Sequence, residues 1–381
     1  MKNHFSPKLL SACCALLCAA AGSAAAGAGT SGGEFLRIVQ SPRVVAMGES
    51  GAGGYGDLLG ALAANPAALG RTAYKEAAFT YNSWLEGINS QQAAYAQPLR
   101  YGAAAVSVLA LTVPGIDGYD NSGAAAGGVE AGSLAAGLSY AARLAGPWQD
   151  RLSGLFAGVT LKYAREKLDG ISATAALADA GLIWIKRRPA GALALGLSAQ
   201  SLGQGFKFDN ETGPAPSVFR AGASYIMLAA GDPITFSADV RQQKDAGAAL
   251  CAGAEYQVWR AVSVRAGYVS GEDLGSGLRL GGGLVMKLLQ FDYSLSSYGK
   301  FGPAHRFALS YKFDRPVAVT RHLSAEQEEA IRKTGQARGL LKEKRYYEAV
   351  LLLNEALTAD PGYKDALELM RRARVKLEDP R

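Results

Sequence analysis

Two glycine-bearing strings near the N-terminus carry the residue types of known chemistries. Gly29-Thr30-Ser31-Gly32-Gly33 has the form of a nucleophile elbow, where a serine is held on a tight strand-to-helix turn. Gly51-Ala52-Gly53-Gly54-Tyr55-Gly56 has the form of a dinucleotide loop, whose glycines let backbone amides approach a pyrophosphate. Neither string has the context its chemistry requires. The first follows an export leader with no strand to feed it, and the second lacks a buried parallel strand before it and an acidic residue after it. With 47 glycines in 381 residues, such matches arise by chance. The three histidines, His4, His305 and His322, have no metal-ligand spacing and no partner that would make one a general base. Cys13, Cys14 and Cys18 fall in the leader, so Cys251 alone remains and neither an internal disulfide nor a cysteine metal site can form. The chain reads as a non-enzyme that calls for no cofactor.

The polar residues that do recur with a spacing alternate with apolar ones. Phe307, Leu309, Tyr311 and Phe313 fall on one side of a strand, and Arg306, Ser310 and Lys312 on the other. Ile234, Phe236, Ala238 and Val240 alternate with Thr235, Ser237, Asp239 and Arg241, and Val262, Val264, Ala266 and Tyr268 with Ser263, Arg265 and Gly267. This register puts Arg220, Asp239, Arg241, Arg265, Arg279 and Arg306 on the polar face, toward the lumen of a closed barrel. A leader precedes the series: Lys2 and Lys8, a short apolar run from Leu9 to Ala21, and the small residues Ala24-Ala25-Ala26 for cleavage. Leu10-Ser11-Ala12-Cys13 has the outline of a lipoprotein box, but only Leu9 and Leu10 form the apolar stretch before the cysteine. The composition is 49% hydrophobic and 19% charged, yet no segment after the leader has the uninterrupted apolar run of a membrane helix. Export, high apolar content and two-faced strands together predict a transmembrane β-barrel. The net charge of +7 is modest and interleaved with acids along strands, which excludes a nucleic-acid partner.

Strands are expected at 75–84, 90–98, 102–111, 130–143, 154–164, 172–186, 191–200, 217–228, 233–241, 250–258, 261–269, 277–286, 288–297 and 304–313. That is about fourteen, the even number bacterial barrels use. Even-numbered connections are mostly tight, as at Trp259-Arg260 and Lys287. Odd-numbered ones are longer and rich in Gly, Asn and Asp, notably Thr112 to Val129 and Ser201 to Pro216. Outer-membrane barrels have short periplasmic turns and long outer loops, so both barrel ends would lie in the periplasm. The chain then divides into a leader (1–26), an N-terminal plug or hatch (27–74), the barrel (75–313), a linker (314–323) and a helical segment (324–381).

The segment from Gly27 to Tyr74 does not alternate. Phe35, Leu36, Ile38 and Val39 recur with helical spacing, Pro42 interrupts, and a glycine-rich stretch spans Gly48 to Gly60. Gly29-Thr30-Ser31, Phe35-Leu36, Ala46-Met47-Gly48 and Asn65-Pro66-Ala67, followed by Tyr81-Asn82-Ser83-Trp84-Leu85, resemble in order the opening of PorV/PorQ-like outer-membrane proteins. Those are relatives of FadL-type long-chain fatty-acid transporters. The resemblance implies a fourteen-stranded barrel with an N-terminal hatch, to which Asn65, Pro66 and Ala67 would belong; a plain Asn-Pro turn is the other reading of these three residues.

After Phe313 the period changes. Ser324-Ala325-Glu326-Gln327 is a candidate capping box. Ala330, Ala337, Leu340 and Leu341 share one helical face; Tyr346, Ala349, Val350, Leu353, Ala356 and Leu357 share a second; and Ala366, Leu369, Met370 and Ala373 share a third. The segment resembles a tetratricopeptide unit, closed by Pro361, and one such unit leaves faces uncovered. Tyr346, Tyr347 and Tyr363 are its candidate docking residues for a periplasmic or secretion-system protein. Three functions fit: a PorV-type factor in protein secretion or surface assembly, a FadL-like channel with a hydrophobic ligand in the barrel, and a structural barrel that tethers a periplasmic partner. All three place the chain in outer-membrane lipid.

Overall fold

Alternation with period two commits each strand to one wet and one greasy face, and closing the sheet satisfies every edge at once. The computed structural model describes residues 31–378 except 120–121, 148–149, 151, 189–190, 210, 230, 273 and 315–324. The expected leader, residues 315–323 of the linker and Ser324 of the candidate capping box lie outside the described residues. The wall consists of β1 (Lys75–Ser83), β2 (Asn89–Leu99), β3 (Gly102–Thr112), β4 (Ala131–Ala145), β5 (Gly154–Leu168), β6 (Ile171–Arg188) and β7 (Gly191–Gly203), followed by β8 (Val218–Ala229), β9 (Asp232–Gln243), β10 (Ala248–Val258), β11 (Val262–Val269), β12 (Leu278–Met286), β13 (Leu289–Ser297) and β14 (Pro303–Phe313). Each pairs antiparallel with its neighbours in sequence, and β14 closes on β1, with Lys75 opposite Phe313 and Ser83 opposite His305. The result is a closed barrel of fourteen strands. Among the described residues no helix is long and apolar enough to cross a membrane.

The two faces follow the alternation. Phe79, Tyr81, Val106, Leu138, Leu161, Phe236, Val264, Phe307 and Leu309 point outward and are exposed, an apolar surface suited to lipid. Ser294, Ser296, Arg279 and Arg306 point inward and are buried. Two short hairpins stand outside the wall, Ile116–Tyr119 with Ala125–Val129 and Phe206–Phe208 with Glu211–Gly213. They were not legible as strands because they lie inside long glycine-rich connections. The connection after β5 departs from the length pattern: β5 and β6 are joined by Asp169 and Gly170 alone, on the long-loop side.

Residues 31–74 lie inside the barrel. Pro42 does not interrupt a helix but opens one, α1 (Pro42–Ala46), where its missing amide proton costs nothing; the Ser41 hydroxyl caps the turn by accepting from the Val44 amide. Upstream, the expected helical face of Phe35 to Val39 reduces to one 3₁₀ turn, Glu34–Arg37. The Asp57 carboxylate caps α2 (Leu58–Ala63) through the Gly60 amide. Leu58, Leu59 and Leu69 of this plug pack on Ala78, Ala96, Ala105 and Ala141 of the wall, together with Phe156 and Ile183. Alanines on the inner wall are what make room for a helix there.

The C-terminal helices α3 (Ala325–Lys342), α4 (Tyr346–Ala359) and α5 (Lys364–Glu378) share a core of Ala330, Ala337, Ala349, Leu353, Ala356, Ala366, Met370 and Ala373. Small residues at the crossings let the helices approach closely. Tyr363 corrects the expectation of a docking residue: it is buried in that core. Tyr347 is exposed and Tyr346 half-buried.

Candidate functional site

Glycine pairs on the inner wall decide where the plug sits. Register brings Gly158 opposite Gly181, Gly196 opposite Gly222, and Gly253 opposite Gly267. A Cβ at Gly158 would meet the Pro66 backbone, and one at Gly196 the Ala52 carbonyl. At Gly253 it would meet Met47, and at Gly267 the Gly48 amide. Four of these bare patches therefore carry plug backbone: Gly222 instead faces the Asp239 carboxylate, and a Cβ on Gly181 would strike the Asn65 side chain. None of this needs unusual wall dihedrals, only the absence of side chains.

Asn65 is fully buried and acts as both a turn and a latch. Its Oδ1 accepts from the Ala67 amide at 3.1 Å, capping the short 3₁₀ helix Pro66–Arg71. Its Nδ2 donates to the carbonyls of Ala52 at 2.7 Å, Leu182 at 3.2 Å and Leu197 at 3.1 Å. One side chain thus ties two plug loops to β6 and β7. Pro66 and Ala67 are buried beside it.

The six inward polar residues of the wall are buried, four of them against the plug and Arg265 and Arg279 against carboxylates of the wall and its connections. Asp239 Oδ2 accepts from the amides of Gly51 at 2.6 Å and Ala52 at 2.8 Å. The glycine string that resembled a nucleotide loop does present amides to an anion, but the anion is the protein's own carboxylate. Arg265 binds Glu255 at 2.5 Å and Asp292 at 2.6 Å, and Glu255 also receives Arg43 of α1 at 2.6 Å. Arg241 pairs with the Glu49 carboxylate, and Arg220 donates to the Glu49 carbonyl at 2.9 Å. Arg279 pairs with Glu272 beneath the Tyr298 ring. Arg306 donates to the Val39 carbonyl and the Ser296 hydroxyl, each at 3.1 Å, under the Trp84 ring. Burial alone would raise the Glu49 carboxyl; the guanidinium groups of Arg241, Arg220, Arg279 and Arg306 outweigh it and hold the group below the usual carboxylate range.

Above this floor lies a cavity of about 650 Å³, at the end of the barrel that carries the long connections. Phe35, Ile38, Leu111, Leu168, Phe208 and Leu274 give it apolar walls, while Glu49, Arg241 and Arg306 give it a charged base. A second cavity of about 70 Å³ lies deeper, lined by Gln92, Ser107, Thr160, Lys162 and Arg220. Arg37, Ile38 and Val39 border both, so one plug segment partitions them. That segment is held from outside by an Arg37–Asp245 ion pair at 2.5 Å and by the Gly33 amide donating to Glu166 at 2.9 Å.

Sequence reasoning missed the plug residues that meet this face, Glu49 against Arg241 and Arg43 against Glu255. It also missed the apolar cavity wall. Glu49 carries no periodic signal, since it sits in a glycine-rich stretch where the chain neither alternates nor coils regularly.

The fold and the wall define a transmembrane β-barrel with an internal plug. No protein-family model matches the chain, and no curated protein does. Among solved structures, the chain is similar to the Ralstonia pickettii toluene transporter TbuX at 14% identity and a TM-score of 0.47, covering 73% of this chain and 100% of that one. It is similar to a Pseudomonas aeruginosa FadL homologue at 12% identity and a TM-score of 0.40, covering 72% and 98%. The Acinetobacter baumannii outer membrane protein Omp33 follows at 14% identity and a TM-score of 0.38, covering 63% and 98%. The barrel itself is defined by its own strand pairing.

Proposed function

We propose that the chain is an outer-membrane channel for small hydrophobic molecules, admitted at the mouth cavity. The observation that carries this reading is the cavity of about 650 Å³, where Phe35, Ile38, Leu111, Leu168, Phe208 and Leu274 form apolar wall between charged groups of both signs. That size and lining suit a small apolar ligand. The tight turns mark the periplasmic end by the usual rule for such barrels, so the cavity opens to the outside. Uptake of a labelled aromatic hydrocarbon by cells lacking other such channels tests the reading. Filling the cavity with Ala131→Trp should cut uptake several-fold while leaving the folded barrel in the membrane. Unchanged uptake in that variant, or uptake equal to cells without the protein, would sink it.

The tail favours a second role beside the first, tethering of a protein at the periplasmic side, in a secretion pathway or elsewhere. The three helices carry their own core and expose Tyr347 and Leu351. Because Phe313 already pairs with Lys75, a chain ending at Asp314 should still close its barrel. Heat-modifiable gel mobility should be unchanged in that truncation. A truncated chain that misassembles would make the helices a brace, not a tether.

A further inference from the structure

Glu49 sits in a setting that suits a bound anion better than a plug residue. It follows Gly48 with both backbones left-handed, at φ 57 and 65, a conformation that side-chain-bearing residues seldom adopt. Its carboxylate pairs with Arg241 and lies within the field of Arg220, Arg279 and Arg306. All four arginines are at least nine-tenths buried. Glu272 takes up Arg279 itself, and Asp239 accepts from the amides of Gly51 and Ala52. The Nε atoms of Arg241 and Arg279 are buried without a hydrogen-bond partner. Arg241 thus pairs with the Glu49 carboxylate in the field of Arg220 and Arg306, and keeps a donor to spare. Glu49, Arg241, Arg306 and Glu272 line the mouth cavity, so a ligand entering there reaches Arg241 and Arg306 directly.

We infer that the base of the mouth cavity is a phosphate-binding site, for free phosphate or for the phosphate head of an amphiphile, and that Glu49 is its resident competitor. Guanidinium forks match the tetrahedral oxygens of phosphate, and a dianion answers several arginines better than a carboxylate can. Apolar walls above the base would accommodate an alkyl chain. The inference rests on the mouth cavity being an entrance, as proposed above.

Trp84 supplies the readout, because the Arg306 guanidinium lies 4.7 Å from its ring centre. In a Trp148→Phe, Trp184→Phe, Trp259→Phe background, its emission is titrated with inorganic phosphate, decyl phosphate and decanoate in a neutral maltoside detergent. Decyl phosphate should saturate the signal about tenfold more tightly than decanoate, the scale of one additional charged hydrogen bond. Removing the competitor with Glu49→Gln should tighten phosphate by about tenfold on the same scale, whereas Arg241→Gln should abolish the response. Inorganic phosphate binding as tightly as decyl phosphate identifies free phosphate as the ligand; binding of decyl phosphate alone identifies an amphiphile head. Decanoate binding as tightly as decyl phosphate overturns the inference. So does a Glu49→Gln variant, folded by heat-modifiable mobility, whose phosphate affinity is unchanged or weaker. Hydrocarbon uptake that persists without phosphate binding removes this inference alone, and phosphate binding without uptake removes the channel reading alone.

Discussion

Valine in place of Gly196 should turn a closed barrel into a conducting one. Its Cβ would overlap the Ala52 carbonyl and crowd the Gly53 amide, both plug backbone that no rotamer change can move aside. The wall tolerates the substitution, since valine suits a strand and the ladder to Gly222 survives. The plug must therefore give way, at an overpacking cost of about 1–3 kcal/mol. Pairing it with Gly253→Val, which strikes the Met47 backbone, removes a second seat three strands along the wall. In planar bilayers the native protein should show a quiet baseline, and the double variant resolved single-channel steps. Gly282→Val is the control: Gly282 faces outward, and its Cβ would meet only the Ser263 carbonyl at 3.4 Å. A silent double variant would mean that the glycine seats do not hold the plug.

Arginine at Leu309 should block assembly. Leu309 faces outward between Phe79 and Phe291, all three exposed to the surroundings of the wall. A cation near the middle of a lipid-facing strand costs about 2–4 kcal/mol. Folding into lipid vesicles, followed by urea titration, should register that loss. On sequence alone Ser310→Arg looks benign, because Ser310 faces the lumen. The structure changes this expectation: Ser310 is 5% exposed in a filled lumen, so arginine there would collide with its surroundings. Ser310→Ala is the inward control and should fold normally. Equal folding of Leu309→Arg and Ser310→Ala would contradict the assigned register.

The contrast between these two positions shows which physics a single sequence displays. Alternation is local, so strand limits, strand number and the inner face of Arg306 or Asp239 could be read off neighbouring residues. What fills the lumen is not local. Gly158 and Gly181 mean nothing separately and become a seat only when register sets them side by side. Arg241 announces a polar face, but its partner Glu49 lies 192 positions away in a stretch with no period. Asn65-Pro66-Ala67 stood out as a motif, yet its reach to the Leu182 and Leu197 carbonyls required the folded wall. Tyr363 looked available because aromatic residues at helix starts serve cores and interfaces equally well.

The seam between β1 and β14 also imposes an order of events. The plug precedes the first strand and the sealing strand is the last, so the seam completes the ring after every other wall strand has been made. Once the ring has shut, the plug's polar grips and glycine seats lie within it, and no edge remains through which a separate plug could thread. A plug seated before the seam shuts would serve as the form around which the wall is drawn. A plug supplied as a separate peptide should fail to occupy a wall already closed, whatever its affinity for the same surface while the seam is open.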